Sequence, residues 1–488
     1  MELLNDELNQ ELSSMADVLD SKRSQREDEM AEIVLRRIAD GIQSREADIL
    51  ALMASGSKNW QQAVREVVVR DILSAADGVL WCPEFVEKLR CDQRVMIYTG
   101  SHWEIVGTQQ WKDFVGLCAE RCGVPVSQRM APSFMKQLYE AAAFNVAKNR
   151  RQFIPDDEVW LNLANGTLVL RKDGSVTLRE HRKEDLFTYT LNYAYDAQAT
   201  CELWMSFINR VLPEMASREV LREFISYCFC KGHFLEVMLM LYGGGLNGKS
   251  VTLEIIENLL GSMNVSYLSL SDLSNDDVKR AAIEGKKLNI SHESGKDVNP
   301  NVLKQVTSGE RVTVRHLYRD PYETRDYGKL IAAFNELPRA ENTFGFFRRL
   351  IILPYEVTIP KEEIDRNLAS KLKRELPGIL NWVLEALPGL LSRKEFTYSE
   401  NCARAMEHYR LQSDNVRLFL NEACEDTEFT TKALDIYNAY RNYCFGSQLK
   451  PVSRKHFYDR LEGLGYTRTC YGNVAYFNLK ITNYEYEQ

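Results

Sequence analysis

The feature that most constrains this chain is a glycine-rich loop between an apolar run and a helical pattern, within Phe234 to Gly261. The apolar run Leu235 to Tyr242 predicts a buried strand, and the apolar positions after the loop recur at the spacing of an amphipathic helix. The loop itself reads GGGLNGKS. A strand, a glycine loop and a helix in this order predict a phosphate site, because loop N–H groups and a helix N-terminus both attract anions.

The loop matches the pattern G-x-x-x-x-G-K-[ST], in which the lysine reaches the terminal phosphates of a nucleoside triphosphate and the hydroxyl holds Mg²⁺. We therefore expect ATP and Mg²⁺ as cofactors. The alternative is a chance meeting of glycine, lysine and serine in a turn, and the flanking strand and helix argue against it. The predicted nucleotide-binding residues are Gly243, Gly244, Gly245, Leu246, Asn247, Gly248, Lys249, Ser250 and Val251.

Three apolar segments after the loop are accompanied by polar residues suited to nucleotide hydrolysis. The segment KLNISHE ends in Glu293, which we expect to polarise the attacking water or to share the metal with Ser250. The segment KLIAAFNELP carries Asn335, whose amide can position a water or sense the terminal phosphate. Arg348 and Arg349 precede the segment LIILPY, and either could stabilise charge in the site of a neighbouring subunit. Taken singly, each residue could equally be a surface polar group.

Length and composition limit the class of protein. A chain of 488 residues predicts roughly three or four domains, and 45% hydrophobic with 27% charged residues is typical of a globular protein. No apolar run approaches the roughly 18 residues that span a bilayer, so we expect a cytoplasmic location and no membrane partner. The eleven cysteines lack the spacing of a zinc site, which favours reduced thiols and no metal except Mg²⁺.

The net charge of −8 argues against a protein coated in positive charge for duplex binding. It does not exclude nucleic acid, because a ring can confine its basic residues to a central channel. For nucleic-acid binding, the local distribution of charge therefore matters more than the net charge.

Changes of pattern divide the chain into five parts. A thin apolar stripe marks the first part, and the stretch WLNLANGTLVLRKDGSVTLREH predicts a β meander in the second. The parts are a helical segment for oligomer or partner contact (1–57), an α+β domain (58–200), an ATPase domain with a helical lead-in (201–360), a helical segment (361–412) and a C-terminal domain (413–488).

The pattern beyond Ser413 changes to three short helices and a final hairpin, which is the order of a winged helix. The third helix carries Arg454, Lys455 and Arg460 on a predicted exposed face, as a recognition helix for duplex DNA would. The alternative is a winged helix that contacts only protein.

The series GGGLNGKS, KKLNISHES, VLKQVTSGERVTVRHLYRDPYE, KLIAAFNELP and FFRRLIILPYE resembles superfamily III helicases of the AAA+ class, specifically the bacteriophage, phage-satellite and poxvirus primase-helicase branch. WLNLANGTLVLR with YAYDAQA resembles the domain preceding the motor in this branch, and ELPGILNWVLEAL its post-motor helices, so the resemblance covers roughly residues 60–488. The implied fold class is α/β, an AAA+ P-loop ATPase core with a preceding α+β domain and a C-terminal winged helix. Glu293 would be the Walker B acid, Asn335 the sensor, and Arg348 or Arg349 the finger across a subunit boundary.

The resemblance further implies a hexameric ring with DNA in its channel, gripped by a β hairpin between Walker B and the sensor strand. That hairpin is expected near Thr307–Arg319. Arginine binds phosphates and tyrosine stacks on bases, which suits the residues found there. The implied DNA contacts are Arg315, His316, Tyr318 and Arg319.

Two departures from the family pattern matter. His292 stands where many superfamily III proteins carry a second acid before the residue equivalent to Glu293. Residues 1–200 show neither a zinc ribbon nor a strand-borne pair of aspartates suited to priming. The sequence therefore implies a helicase without its own primase, served by a separate priming partner.

The function expected from these features is an ATP-driven DNA helicase for replication of a phage, prophage or mobile element in a bacterial host cell. Two alternatives stay open. One is an origin-binding replication initiator, in which ATP assembles the ring and the C-terminal domain selects the site. The other is an AAA+ switch or defence ATPase that unwinds nothing.

Overall fold

The computed structural model describes residues 30–82, 95–146, 152–292, 298–317, 319–338, 344–447, 449 and 451–482. Glu293, Tyr318 and residues 1–29 of the predicted N-terminal segment lie outside this range. The chain divides into two compact units, Met1–Ala199 and Thr200–Gln488, which are considered separately. Within the described stretches, no helix combines the length and the apolarity needed to cross a bilayer.

The first unit alternates helices with two short antiparallel sheets. Its described elements are α1 (30–40), α2 (Glu46–Ala54), α3 (Trp60–Ala76), β1 (Leu80–Trp81), β2 (Met96–Tyr98), β3 (Trp103–Ile105), α4 (Thr108–Arg121), α5 (Val126–Arg129), α6 (Pro132–Val146), β4 (Glu158–Leu163), β5 (Gly166–Arg171) and β6 (Val176–Arg179).

The predicted meander is confirmed, since β4, β5 and β6 form one antiparallel sheet in that order. Leu161 pairs with Leu168, and the chain reverses between Leu163 and Gly166. Alternating apolar residues with an Asn-Gly turn were sufficient to predict this, because pairing register and turn chemistry are local properties. The helices pack separately around a core whose fully buried members include Ile49, Val64, Val68, Ile72, Cys118 and Leu138.

The second unit contains the glycine loop. Its described elements are α7 (Glu202–Val211), α8 (Met215–Phe229), β7 (Met238–Tyr242), α9 (Lys249–Leu260), β8 (Val265–Ser266), α10 (Leu270–Asn275), α11 (Asp277–Arg280), β9 (Leu288–His292), α12 (Pro300–Thr307), β10 (Val312–Val314), β11 (Tyr322–Thr324), β12 (Lys329–Phe334), α13 (Phe344–Phe347), β13 (Leu350–Pro354), α14 (Leu368–Leu372), α15 (Leu376–Leu384), α16 (Leu387–Arg393), α17 (Glu400–Ser413), α18 (Asn415–Ala423), β14 (Cys424–Lys432), α19 (Ala433–Gly446), α20 (Arg454–Gly463), β15 (Arg468–Tyr471) and β16 (Val474–Ile481).

A five-stranded parallel sheet forms the centre of this unit, in the order β13-β7-β12-β9-β8. Its inner strands are buried, which explains why they read as near-continuous apolar runs in the sequence. Because the strands all run in one direction, the segments that follow β7, β9 and β12 meet at one edge of the sheet, here called the carboxyl edge. The opposite edge, where the strands begin, is the amino edge.

The hairpin expected near Thr307–Arg319 lies further along the chain. Thr307 is the last residue of α12, and the hairpin strands are β10 and β11, with Val314 opposite Tyr322. The expectation missed β11 because its three residues alternate too briefly to distinguish a strand from a loop. Its tip is the connection between Val314 and Tyr322.

The C-terminal part of the unit has its own apolar core, in which Phe457 stacks on Tyr440 with ring centroids 4.4 Å apart. The three predicted helices are α18, α19 and α20, and the predicted final hairpin is β15 with β16. A further strand, β14, lies between the first two helices and pairs with β16, so the sheet order is β14-β16-β15. The sequence pattern does not predict β14.

Candidate active site

The glycine loop between β7 and α9 needs glycine for two different reasons. At Gly243 a Cβ would lie 2.3 Å from the Tyr355 carbonyl oxygen and 2.3 Å from the Asn247 amide nitrogen, so no side chain fits. Gly248 has φ +88, a left-handed conformation that side chains rarely adopt, and a Cβ there would lie 2.9 Å from Phe207. The loop therefore depends on glycine for space at its start and for conformation at its end.

The loop is fastened to the sheet by hydrogen bonds that need no ligand. Asn247 donates from Nδ2 to the Tyr355 carbonyl at 3.1 Å, and the Ile359 N–H donates to the Leu246 carbonyl at 2.7 Å. The Tyr355 hydroxyl in turn donates to Thr252 Oγ1 on α9 at 3.2 Å. These contacts hold the loop in one shape before anything binds.

Lys249 is the first residue of α9, and only 7% of its surface is exposed. Its Nζ donates to the Gly243 carbonyl at 2.5 Å, to Asn247 Oδ1 at 3.1 Å and to Asn335 Oδ1 at 3.2 Å. The ammonium group is thus desolvated and directed to the space in front of the loop.

The parallel register explains how Asn335 reaches this place. It follows β12 directly, and β12 lies beside β7 with Phe334 opposite Tyr242. On the other side of β12, β9 ends at His292, which is opposite Ala333. The structure therefore brings Asn335 and Lys249 together at the carboxyl edge, whereas Glu293 lies outside the described residues.

Ser250 is exposed and lines a cleft in front of the loop, together with Gly245 to Lys249, Val251 and Asn335. A free hydroxyl beside the loop lysine is the group that holds Mg²⁺ in P-loop nucleotide sites, so the residue present fits that ion. Among the residues with described positions, no cluster of three or more His, Cys, Asp or Glu side chains could hold a metal.

The cleft has a volume of about 590 Å³. One of its walls is formed by residues that the sequence does not predict to belong to the site. Leu203 and Phe207 come from α7, which lies in the predicted helical lead-in of the ATPase domain. The rest of the wall comes from the first residue of α14 and from the segment before it, whose sequence IPKEEID carries no recognisable pattern. The apolar wall residues are Leu203, Phe207, Ile359, Ile364 and Leu368.

Charged side chains line the same cleft. Arg210 forms an ion pair with Glu363, and Asp365 accepts a hydrogen bond from Lys371 at 2.6 Å. The first pair joins α7 to the segment that precedes α14, and the second joins that segment to α14 itself. The cleft is thus apolar on one wall, charged at its rim, and closed at one end by the glycine loop.

Arg348 and Arg349 lie at the amino edge, away from this cleft. The Met238 N–H, at the start of β7, donates to the Arg349 carbonyl at 2.8 Å. Since β7 has 5 residues, the two edges are about 13 Å apart at about 3.3 Å per residue. That separation exceeds the reach of an arginine side chain, so neither residue can contact the loop of its own chain.

The predicted DNA contacts Arg315, His316 and Arg319 lie at the tip of the hairpin. Arg315 is exposed, and its side chain is 3.4 Å from Asp277 on α11. His316 Nε2 lies 3.0 Å from the Tyr322 hydroxyl. The tip is therefore supported from α11 and from its own second strand.

In the C-terminal part, Arg454 and Lys455 are exposed in the first turn of α20. Arg460 lies one and a half turns further along and donates from Nη2 to the buried carboxylate of Asp414 at 2.6 Å. Asp414 also caps α18, accepting from the Val416 N–H. Arg460 thus fastens α20 to α18, whereas Arg454 and Lys455 face solvent.

Two sequence profiles match the chain. One, described as D5 N terminal like, matches residues 84–213, and the other, described as a family of unknown function (DUF5906), matches residues 241–349. The first profile spans most of the predicted α+β domain (58–200), and the second begins at the end of β7 and ends beside β13.

The chain is also similar to viral proteins whose names assign them provisionally as helicases. L207/L206 of Acanthamoeba polyphaga mimivirus is 23% identical over 299 residues, which are 54% of this chain and 30% of that protein. Protein 121R of Invertebrate iridescent virus 3 is 23% identical over 334 residues, which are 58% of this chain and 35% of that protein. The chain thus spans about a third of the length of these relatives. Among solved structures, the apo C-terminal region of NrS-1 aligns with a TM-score of 0.47 at 9% identity, over 85% of this chain and 99% of that one.

Proposed function

The chain belongs to the superfamily III primase-helicase family of phages and viruses, and we propose that it is an ATP-driven DNA helicase serving replication of a phage, prophage or mobile element. In this proposal the second unit is an AAA+ P-loop ATPase that works as a hexameric ring. Its C-terminal part is a winged helix. A separate primase supplies the priming step.

The observation that carries the proposal is the position of Lys249 between the glycine loop and Asn335. Among the described residues, its ammonium group donates to neutral oxygens of Gly243, Asn247 and Asn335. A charged phosphate oxygen attracts an ammonium group more strongly than a neutral oxygen does. A triphosphate at the loop would therefore replace these partners, and Asn335 would be freed to orient the attacking water.

The other residues at the loop have matching roles in the proposal. Ser250, with Glu293, would hold Mg²⁺, which when bound neutralises charge on the phosphates. The loop fastenings from Asn247 and Tyr355 fix the phosphate end in advance, so that little is reorganised when nucleotide binds.

The size and lining of the cleft support a nucleotide as the ligand. Its volume of about 590 Å³ lies within the roughly 300–1,000 Å³ typical of small-molecule sites. The loop closes one end and would take the phosphates. The apolar wall around Phe207 and Ile359 would take the base, whose faces need apolar surface.

The hairpin is the proposed contact with single-stranded DNA. Arg315, His316, Tyr318 and Arg319 supply a positive charge and a stacking ring, the two features that single-strand sites combine. The exposed Arg454 and Lys455, with Arg460 behind them, are the proposed contacts with duplex DNA at the winged helix.

The position of Arg348 and Arg349 at the amino edge supports the proposed ring. A residue at the amino edge cannot reach the carboxyl edge of its own chain, but it can contact the cleft of a neighbouring subunit. In a closed ring each chain would then supply one cleft and one arginine to adjoining interfaces.

An origin-binding initiator is the second candidate function, favoured by the separate core of the C-terminal part and the exposed basic turn of α20. Binding of the full chain to one duplex sequence, at salt that abolishes general binding, would support it, because base readout persists where phosphate contacts fade. A third candidate, an ATPase that unwinds nothing, has no observation in its favour.

The proposal is tested by ATP turnover of the full chain with and without forked DNA. We expect DNA to stimulate turnover in the wild type, Lys249→Ala to abolish it, and Arg315→Ala to keep the basal rate while losing the stimulation. If the wild type showed no ATP turnover, or if Lys249→Ala left turnover unchanged, the nucleotide site would be contradicted.

A further inference from the structure

Glu236 is an acidic residue at the amino edge that the proposed function does not use. It lies two residues before β7, and its φ of +49 places a non-glycine residue in the left-handed region. Its N–H donates to the His233 carbonyl at 3.0 Å. Such a conformation persists only where the surrounding structure holds it, and it is commonest at functional sites.

The Glu236 carboxylate collects three partners. Its Oε2 lies 3.2 Å from Arg348 Nη2 and 3.9 Å from Arg349 Nη2, and it accepts a hydrogen bond from the Ser308 hydroxyl at 3.4 Å. Both arginines that could act as the finger therefore converge on one carboxylate.

The two arginines differ in how firmly they are held. The Arg349 side chain is 14% exposed, and it donates from Nε to Ser308 Oγ at 2.7 Å and from Nη1 to the Gly345 carbonyl at 2.5 Å. The Arg348 side chain is 45% exposed, and within the described part of the chain its polar contact is with Glu236 alone. The Arg349 side chain is thus fixed by several contacts within its own chain, whereas the Arg348 side chain is held by a single ion pair.

We propose that Arg348 is the finger, and that Glu236 is the residue that positions it. This rests on the proposed function, because it specifies which residue enters the cleft of the neighbouring subunit and what directs it there. Arg349 fixes the segment between α13 and β13 through Ser308 and Gly345, and does not itself enter a neighbour's site.

The strength of the ion pair suits this role. An exposed ion pair between Arg348 and Glu236 is weak, since both groups remain partly hydrated. A triphosphate carries more negative charge and offers several oxygens, so the guanidinium would leave Glu236 for it. Until then the carboxylate limits the orientations open to a long side chain, which reduces the entropy lost when the finger engages.

The contrasting explanation is that Glu236 only fastens the end of α12 to β7, by way of Ser308. The two explanations differ in which chain's cleft they affect. A fastening residue acts on its own chain. A positioning residue for Arg348 acts on the neighbour's cleft, and its loss can be compensated by a neighbour whose own arginine is intact.

The test uses full-length chains mixed in pairs. Glu236→Gln keeps the shape of the side chain and removes its charge, and Lys249→Ala subunits have an intact amino edge but no working loop. In unmixed samples, we expect Glu236→Gln to lower kcat for ATP hydrolysis about tenfold and to change KM less than about twofold, as for an interaction used only in the transition state. Arg348→Ala should lose roughly 10²–10³-fold, as on removal of a direct donor. When Glu236→Gln or Arg348→Ala is mixed with Lys249→Ala, the ATPase activity of the mixture should exceed the sum of the activities of the two variants measured separately.

Three comparisons make the outcome decisive. Glu236→Asp keeps the charge and should retain more activity than Glu236→Gln at an equal Tm. Glu425→Gln, an exposed carboxylate paired with Lys480, should leave kcat unchanged. Arg349→Ala should lower Tm and gain nothing from mixing. An active wild type with no recovery of Glu236→Gln on mixing would overturn the positioning role alone, whereas an inactive wild type would overturn the proposed function and this assignment with it.

Discussion

Lys249 Nζ lies 3.2 Å from Asn335 Oδ1, although 86 positions separate the two residues in the chain. The parallel pairing of β7 with β12 sets this distance, since Phe334 is opposite Tyr242 and both following segments leave at the carboxyl edge. The lysine and the amide consequently share one space. Their removal should affect binding and hydrolysis differently.

Asn335→Ala should lower kcat for ATP by roughly 10²-fold while nucleotide affinity changes only a few-fold, because the amide is proposed to act on the attacking water. Lys249→Ala should instead lose affinity for the triphosphate. Glu336→Ala, an exposed neighbour, is the control. Turnover and equilibrium binding of a fluorescent ATP analogue measure the two effects, and an unchanged kcat in Asn335→Ala would remove it from the site.

Adjacent glycines in the loop should respond very differently to the same added methyl group. Gly243→Ala would place Cβ within 2.3 Å of Tyr355 and Asn247, and should destabilise the unit by roughly 1–3 kcal/mol and weaken ATP binding. Gly244→Ala meets nothing within 4 Å and should leave Tm unchanged. Thermal unfolding with and without ATP compares them. Equal Tm values would mean that the loop is not fastened as described.

Arg280 should couple the hairpin to the rest of the unit. Its buried guanidinium donates to three carbonyls, those of Leu273 at 2.6 Å, Ser274 at 3.1 Å and Thr313 at 2.6 Å. Arg280→Met removes a buried donor from each of these oxygens, which should destabilise the unit by about 1–3 kcal/mol and release the hairpin.

The expected readout for Arg280→Met is basal ATP turnover close to wild type with loss of the stimulation by DNA. Lys279→Met changes the neighbouring residue, whose side chain is 54% exposed, and should behave like wild type. If Arg280→Met kept its stimulation by DNA, α10 and α11 would have no part in supporting the hairpin.

Lys329 should make stability depend on alkaline pH. It is 3% exposed at the start of β12, and burial lowers its pKa from 10.5 to about 8. Between these two values the unfolded chain binds the proton more tightly than the folded chain, so stability rises with pH through that window. At about 1.4 kcal/mol per pH unit, the gain is up to about 3 kcal/mol.

Lys329→Met should remove that rise, so the difference in unfolding free energy between wild type and variant should grow in favour of wild type from pH 8 to pH 10.5. Lys480→Met, on a side chain 63% exposed, should show no such trend. Urea unfolding at several pH values measures this. A difference that stays flat across the window would mean that Lys329 keeps an ordinary pKa in the folded protein.

The parts of the fold that depend on nearby residues could be predicted from the sequence. The strand before the loop, the helix after it and the Asn165-Gly166 meander follow from spacing and turn chemistry. The order of polar residues after the loop singled out Asn335, which the structure places 3.2 Å from Lys249 because parallel strands deliver their carboxyl ends to one edge.

The parts that depend on distant packing could not be predicted. Phe207 and Ile359 share the cleft wall although 152 positions separate them, and neither lies in a recognisable motif. The second hairpin strand and β14 could not be predicted, because their stability comes from pairing with a partner strand rather than from their own sequence pattern. The difference between Arg348 and Arg349 appears only once Ser308 and Glu236 are beside them.

Strand displacement on a forked DNA duplex tests the central claim most directly. The full chain is incubated with ATP and forks of either polarity, beside Lys249→Ala. We expect the wild type to separate the strands on forks of one polarity and only with hydrolysable ATP, and Lys249→Ala to separate none. A wild type that hydrolyses ATP yet separates no strands on any fork would contradict the proposed helicase activity.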